Sequence, residues 1–90
     1  MKFEGADHKY WDVYLNPWPM LVRGDCDAPH KDERLIRVAK HLPLEEYVEV
    51  VIHECLHARF WDLDEESVEH FGEQCAAVVL WALRERGILD

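Results

Sequence analysis

The residues of this chain best suited to do chemistry are His53, Glu54 and His57, in the order H-E-x-x-H within the stretch VVIHECLHARF. On a helix, positions four apart share a face, so the two imidazoles can turn toward one metal ion while Glu54 projects to the side. That arrangement suits hydrolysis. A zinc ion acidifies its bound water, and a neighbouring carboxylate can take the proton and later return it to a leaving amine. The expectation is a Zn2+ site with His53 and His57 as ligands and Glu54 as general base and then acid. With six His and eleven Glu in 90 residues the pattern can arise by chance, so its setting has to be tested.

The setting is helical. Apolar residues recur at 44, 47, 48, 51, 52 and 55, the spacing of one buried helix face, and Pro43 suits a first turn. This predicts a helix from about 43 to 60, with the histidines on a face roughly opposite the Leu44-Val48-Val51-Cys55 stripe. After WDLD, Asp64 can cap a second helix, with Glu65 and Glu66 in the dipole-favoured first turn. Apolar or small residues at 68, 71, 72, 75, 76, 79, 82 and 83 carry that helix to about 86, and Gly87 marks its end. The first half reads as extended pieces, KYWDVYLN, MLVRG and ERLIRVAK, separated by Pro17, Pro19, Gly24-Asp25 and the loop DCDAPHKD. The fold class expected is α+β: a small antiparallel sheet packed on two α-helices, in one domain covering 1–90.

A catalytic zinc needs a third protein ligand and an open position. Candidates cluster at the start of the second helix: Glu65, Glu66, Glu69, His70 and Glu73. Glu69 and Glu73 share a face bordering the Val68-Gly72-Ala76 stripe. Glu69 can therefore be the third ligand while Glu73 orients a ligand histidine from behind. Gly72 would let the helices approach closely. Position 63 is Leu and position 60 is Phe, which excludes the metzincin pattern, where a third His and a Gly stand there.

HECLH followed by EHFGEQCAAVVL resembles the gluzincin metallopeptidases, and most of all the minimal ImmA/IrrE-type proteins of bacteria and phages. In that group a glutamate opens an E-x-x-(small)-x-x-x-A pattern, matched here by Glu69, Gly72 and Ala76. The likeness spans roughly residues 20 to 80, and it implies a zincin-like core and peptidase activity, with the strand RLIRV as the cleft wall to which an extended substrate would pair. The chain departs from the group at Leu56, where Gly is usual. A more distant likeness to the SprT-like group would make His70 the third ligand instead.

Composition narrows the partners. The net charge of −9 is confined to residues 45–76, where ten acids face Arg59 alone. Such a surface repels phosphate backbones, so the expected partner is a polypeptide substrate and not nucleic acid. No apolar run approaches membrane-span or signal-peptide length, and three scattered cysteines fit reduced thiols, so a cytoplasmic protein without a membrane association is expected. Cys55 and Cys75 read as core residues, and Cys26 as a loop thiol able to act as a further zinc ligand. Trp11, Tyr14, Trp18, Trp61 and Trp81 read as core or rim aromatics, and Tyr47, His41 and His70 as donors to a developing oxyanion. The alternative to an enzyme is a non-catalytic, zinc-stabilised interaction module whose acidic helical hairpin binds a basic protein, and a closed four-ligand site would mark it.

Overall fold

A computed structural model of the chain describes residues 1–16 and 21–90. Four strands and two long helices are formed: β1 (Lys2–Glu4), β2 (Tyr10–Asn16), β3 (Gly24–Cys26), β4 (Leu35–Ala39), α1 (Leu44–Arg59) and α2 (Glu65–Glu85). This is a small α+β fold. Trp18 lies outside the described residues, as does the start of MLVRG.

Both helices form where the apolar spacing puts them. Pro43 is the N-cap of α1, and Phe60 closes it with a backbone N–H to Leu56. The Asp64 side chain accepts the Ser67 amide at 2.9 Å and caps α2. Beyond α2, Gly87 takes a φ of 79°, a left-handed conformation that glycine adopts without steric cost.

The sheet differs from the all-antiparallel one expected. Its order is β1-β2-β4-β3, with β1–β2 and β4–β3 antiparallel but β2–β4 parallel, Asp12 to Asn16 lying beside Leu35 to Ala39. RLIRV is thus a central strand, hydrogen-bonded on both sides and closed to any added strand. The edge facing α1 is β3, formed from residues that read as a turn and loop. Its short span carries no period that a sequence pattern could detect.

Trp11, Ile36, Val38, Val50 and Ala58 make the core, with Trp11, Ile36, Val38 and Ala58 fully excluded from solvent. The Trp11 indole N–H donates to the Asp27 carbonyl at 2.9 Å, so the buried ring leaves no unpaired donor. Of the other aromatics, Tyr14 and Trp81 are largely exposed and Trp61 sits at a rim. The face of α1 on the sheet is the row Val50-Glu54-Ala58, with Val51 and Cys55 half-buried beside it. The helix is therefore rotated from the stripe expected, and Glu54 joins the buried row. Gly72 is less crowded than expected: an added Cβ would sit 3.7 Å from the His53 Cα, an ordinary contact.

A polar clamp fastens β3 to β4. Arg37 reaches Asp25 at 2.8 Å and Asp27 at 3.4 Å, and Asp27 accepts the Leu35 amide at 2.9 Å. Burial pushes the Asp27 carboxyl up, but the Leu35 amide and the Arg37 and Lys31 cations outweigh it and hold the group below its ordinary 3.8. A carboxylate with a depressed folded-state pKa stabilises the fold above its unfolded value, and that contribution is lost as pH falls through the folded one. Asp27→Asn should therefore cost about 1–2 kcal/mol at neutral pH, measured by urea unfolding. The gap to the native chain should close below about pH 4; a gap that persists in acid would contradict the assignment.

Candidate metal centre

α1 ends and α2 begins within five residues, 60–64, so the chain reverses sharply and the last turn of one helix lies against the first turn of the other. That reversal assembles the site. His53 and His57, one turn apart on α1, meet Glu65 in the first turn of α2. The His53 Nε2 lies 2.8 Å from Glu65 Oε1, the His57 Nε2 lies 2.9 Å from Glu65 Oε2, and the two Nε2 atoms are 3.1 Å apart. One ligand atom from each of the three residues falls within 4.8 Å of the others, and the group could hold a metal ion.

The donor set fits a divalent ion. Ligand atoms arranged tetrahedrally around zinc at ordinary bond lengths stand about 3.3 Å apart, so three donors already at 2.8–3.1 Å need move only slightly. Two imidazoles and one carboxylate would also leave a position free for a small ligand. Burial, with His53 nearby, holds the His57 imidazole below its ordinary 6.5 against the opposing pull of Glu65, so near neutral pH it keeps a lone pair for coordination.

Glu54 is buried, only 7% exposed. It is covered by β3 at Gly24, where an added Cβ would lie 2.7 Å from Val50 Cγ1, 3.0 Å from the Arg37 carbonyl and 3.2 Å from Glu54 Cγ. Only glycine permits that approach. Burial pushes the Glu54 carboxyl up to about 7, with His53 opposing and Asp25 and Glu65 adding to the rise. An acid–base group performs best near its working pH, which is where this environment holds Glu54 in the metal-free protein.

These residues line one cavity of about 650 Å³, bounded by α1, the start of α2 and β3 with its leading segment 21–23. Arg23 and Asp27 direct backbone groups to β4, through the Arg23 carbonyl to Ala39 and the Asp27 amide to Leu35. By antiparallel alternation the backbone groups of Gly24 and Cys26 face away from β4, along an edge that no other strand among the described residues pairs. Leu21, Val22 and Trp61 form an apolar rim.

Each candidate site residue read from the sequence lies among the described residues. His53 and His57 converge, and Glu54 lines the same cavity. Glu69, expected as the third ligand, lines the same cavity but stands outside the converging group, and Glu65 occupies that place. The cause is register: the short reversal sets residue 65 beside the last turn of α1, and Glu69 lies about 6 Å further along the helix. Glu73 is exposed and is not a wall residue of the cavity; neither are Tyr47, His41 and His70. Cys26 does line it, from β3 rather than from a loop, and burial followed by Glu54 pushes its thiol up to about 12. Arg23 was not singled out by its type or spacing, and Trp61 was read only as a core or rim aromatic. Arg23 is held by Glu46 at 2.9 Å across from Glu49 and Glu69.

No protein-family model, curated protein or solved structure matches the chain. The likeness to gluzincins thus rests on the helix-borne motifs.

The two glutamates are separable by experiment. Glu65→Ala should weaken zinc affinity at least tenfold, read by competition with a chromogenic chelator, while Glu69→Ala should change it little. The reverse order would return the third ligand to Glu69.

Proposed function

We propose that the chain is a zinc-dependent hydrolase acting on polypeptides, with His53, His57 and Glu65 as metal ligands and Glu54 as the proton carrier. The observation that carries this reading is the convergence of the two imidazoles and a carboxylate in the same cavity as a buried glutamate. A structural metal has no need of the second feature. A zinc held by these donors supplies Lewis acidity and a water acidified toward neutral pH.

The rest of the chemistry belongs to the chain. Glu54 takes a proton in the cavity and passes it to the leaving nitrogen, a role matched to its elevated pKa. His53 and His57 are held by packing between α1 and α2, so the donors are oriented before any ligand arrives. The edge at Gly24 and Cys26, unpaired among the described residues, offers backbone donors and acceptors to an extended peptide, in the manner of strand addition. Leu21, Val22 and Trp61 would contact its apolar side chains. The expected substrate strand shifts accordingly from RLIRV to β3.

The acidic interaction module would be favoured by a closed site. Cys26 and His70, the residues that could close it, stand outside the converging group, which favours the enzyme.

Glu54→Gln separates binding from chemistry. The variant should retain one zinc per chain by atomic absorption and lose at least a hundredfold in cleavage of a dye-quenched unstructured polypeptide pool, the ordinary cost of removing a general base. Full activity in that variant would sink the mechanism.

A further inference from the structure

On α2, the row Val68-Gly72-Ala76-Leu80 is buried, while Phe71, Val78 and Trp81 each leave more than half of their surface exposed. At about 100° per residue, Phe71, Cys75, Val78 and Ala82 fall on one narrow arc, with Val79 and Trp81 flanking it on either side. From Ser67 to Ala82 this face carries no charged residue. Glu65, Glu69 and Glu73 lie around the helix on the cavity side. Asp64 and Arg86 stand at the two ends of the same arc, each eleven residues from Cys75.

The arrangement is self-complementary under a two-fold axis at Cys75. Reversing the helix about that point sets Asp64 against Arg86 and the exposed Phe71 against the exposed Val79. We propose that α2 pairs antiparallel with α2 of a second copy of this chain, with Cys75 near the axis and an Asp64–Arg86 ion pair at each end.

The pattern is what an isologous interface requires, since each patch must match itself after rotation. Charge supports the antiparallel sense. A parallel pair would set Arg86 on Arg86 and Asp64 on Asp64, with the helix dipoles also aligned unfavourably. Asp64 keeps acceptor capacity beyond its cap to Ser67. The face offers on the order of 500 Å² per protomer, so pairing buries on the order of 1,000 Å², enough for a reversible dimer but not an obligate one. The cavity stays open, because it lies on the other side of the α1–α2 contact.

Sedimentation velocity of the full chain should show a concentration-dependent monomer–dimer equilibrium. Val78→Glu, at an exposed position, should raise the dissociation constant at least tenfold while leaving helix content and bound zinc unchanged. For orientation, chains carrying Cys75→Ala with either Phe71→Cys or Val79→Cys should form the mixed disulfide on oxidation, in preference to either self-pair. A chain monomeric up to submillimolar concentration, or a dimer indifferent to Val78→Glu, would overturn the proposal, and self-paired disulfides would overturn the antiparallel arrangement.

Discussion

The approach of β3 to α1 at Gly24 is the contact on which the site depends. With no side chain at that position, the strand backbone lies directly on Val50 and Glu54. The approach buries a carboxylate that would otherwise face solvent and raises its pKa. It also makes β3 one wall of the cavity, with its outer backbone edge unpaired among the described residues. The Arg37 clamp on Asp25 and Asp27 holds β3 in place from the other side. A methyl group at residue 24 would press on the Arg37 carbonyl and on Val50 together, so strand and helix would have to part.

The concentration of acids around residues 45–76 has a local meaning in this geometry. Asp25, Glu49, Glu54, Glu65 and Glu69 line the cavity, and Arg23 is the lone Lys or Arg among its wall residues. Carboxylates gathered in one partly enclosed space repel one another, and a divalent cation relieves that repulsion most effectively. A core of this size is also marginal by itself, so an ion joining α1 to α2 would contribute to the stability of the fold. Site and fold are coupled through the same few side chains.

How much of this was legible in the sequence follows from the length scale of each signal. Both helices were, within a residue or two at each end, because a long run with a 3.6-residue period and explicit caps at Asp64 and Gly87 leaves little ambiguity. The sheet was only partly so. β1 and β3 are three residues each, too short to show alternation, and the parallel pairing of β2 with β4 joins segments about twenty residues apart by contacts no local pattern encodes. Within the site, H-E-x-x-H was readable because helical geometry fixes it inside one element. The position of Glu65 depends instead on the rotation and register of two helices across a turn, so spacing favoured Glu69. Gly24 looked like a turn residue, since its role emerges only when a distant helix lies beneath it. No helix among the described residues is long and apolar enough to cross a membrane.

The central claim is that the convergence of His53, His57 and Glu65 is an open metal centre next to Glu54. It is tested most directly by a crystal structure of the zinc-loaded chain with anomalous data at the zinc edge. The account predicts one ion held by the Nε2 atoms of His53 and His57 and a Glu65 carboxylate oxygen, with a water completing the shell and Glu54 near that water but not on the metal. An ion enclosed by four protein ligands including Cys26, or no ion in the cavity, would contradict it.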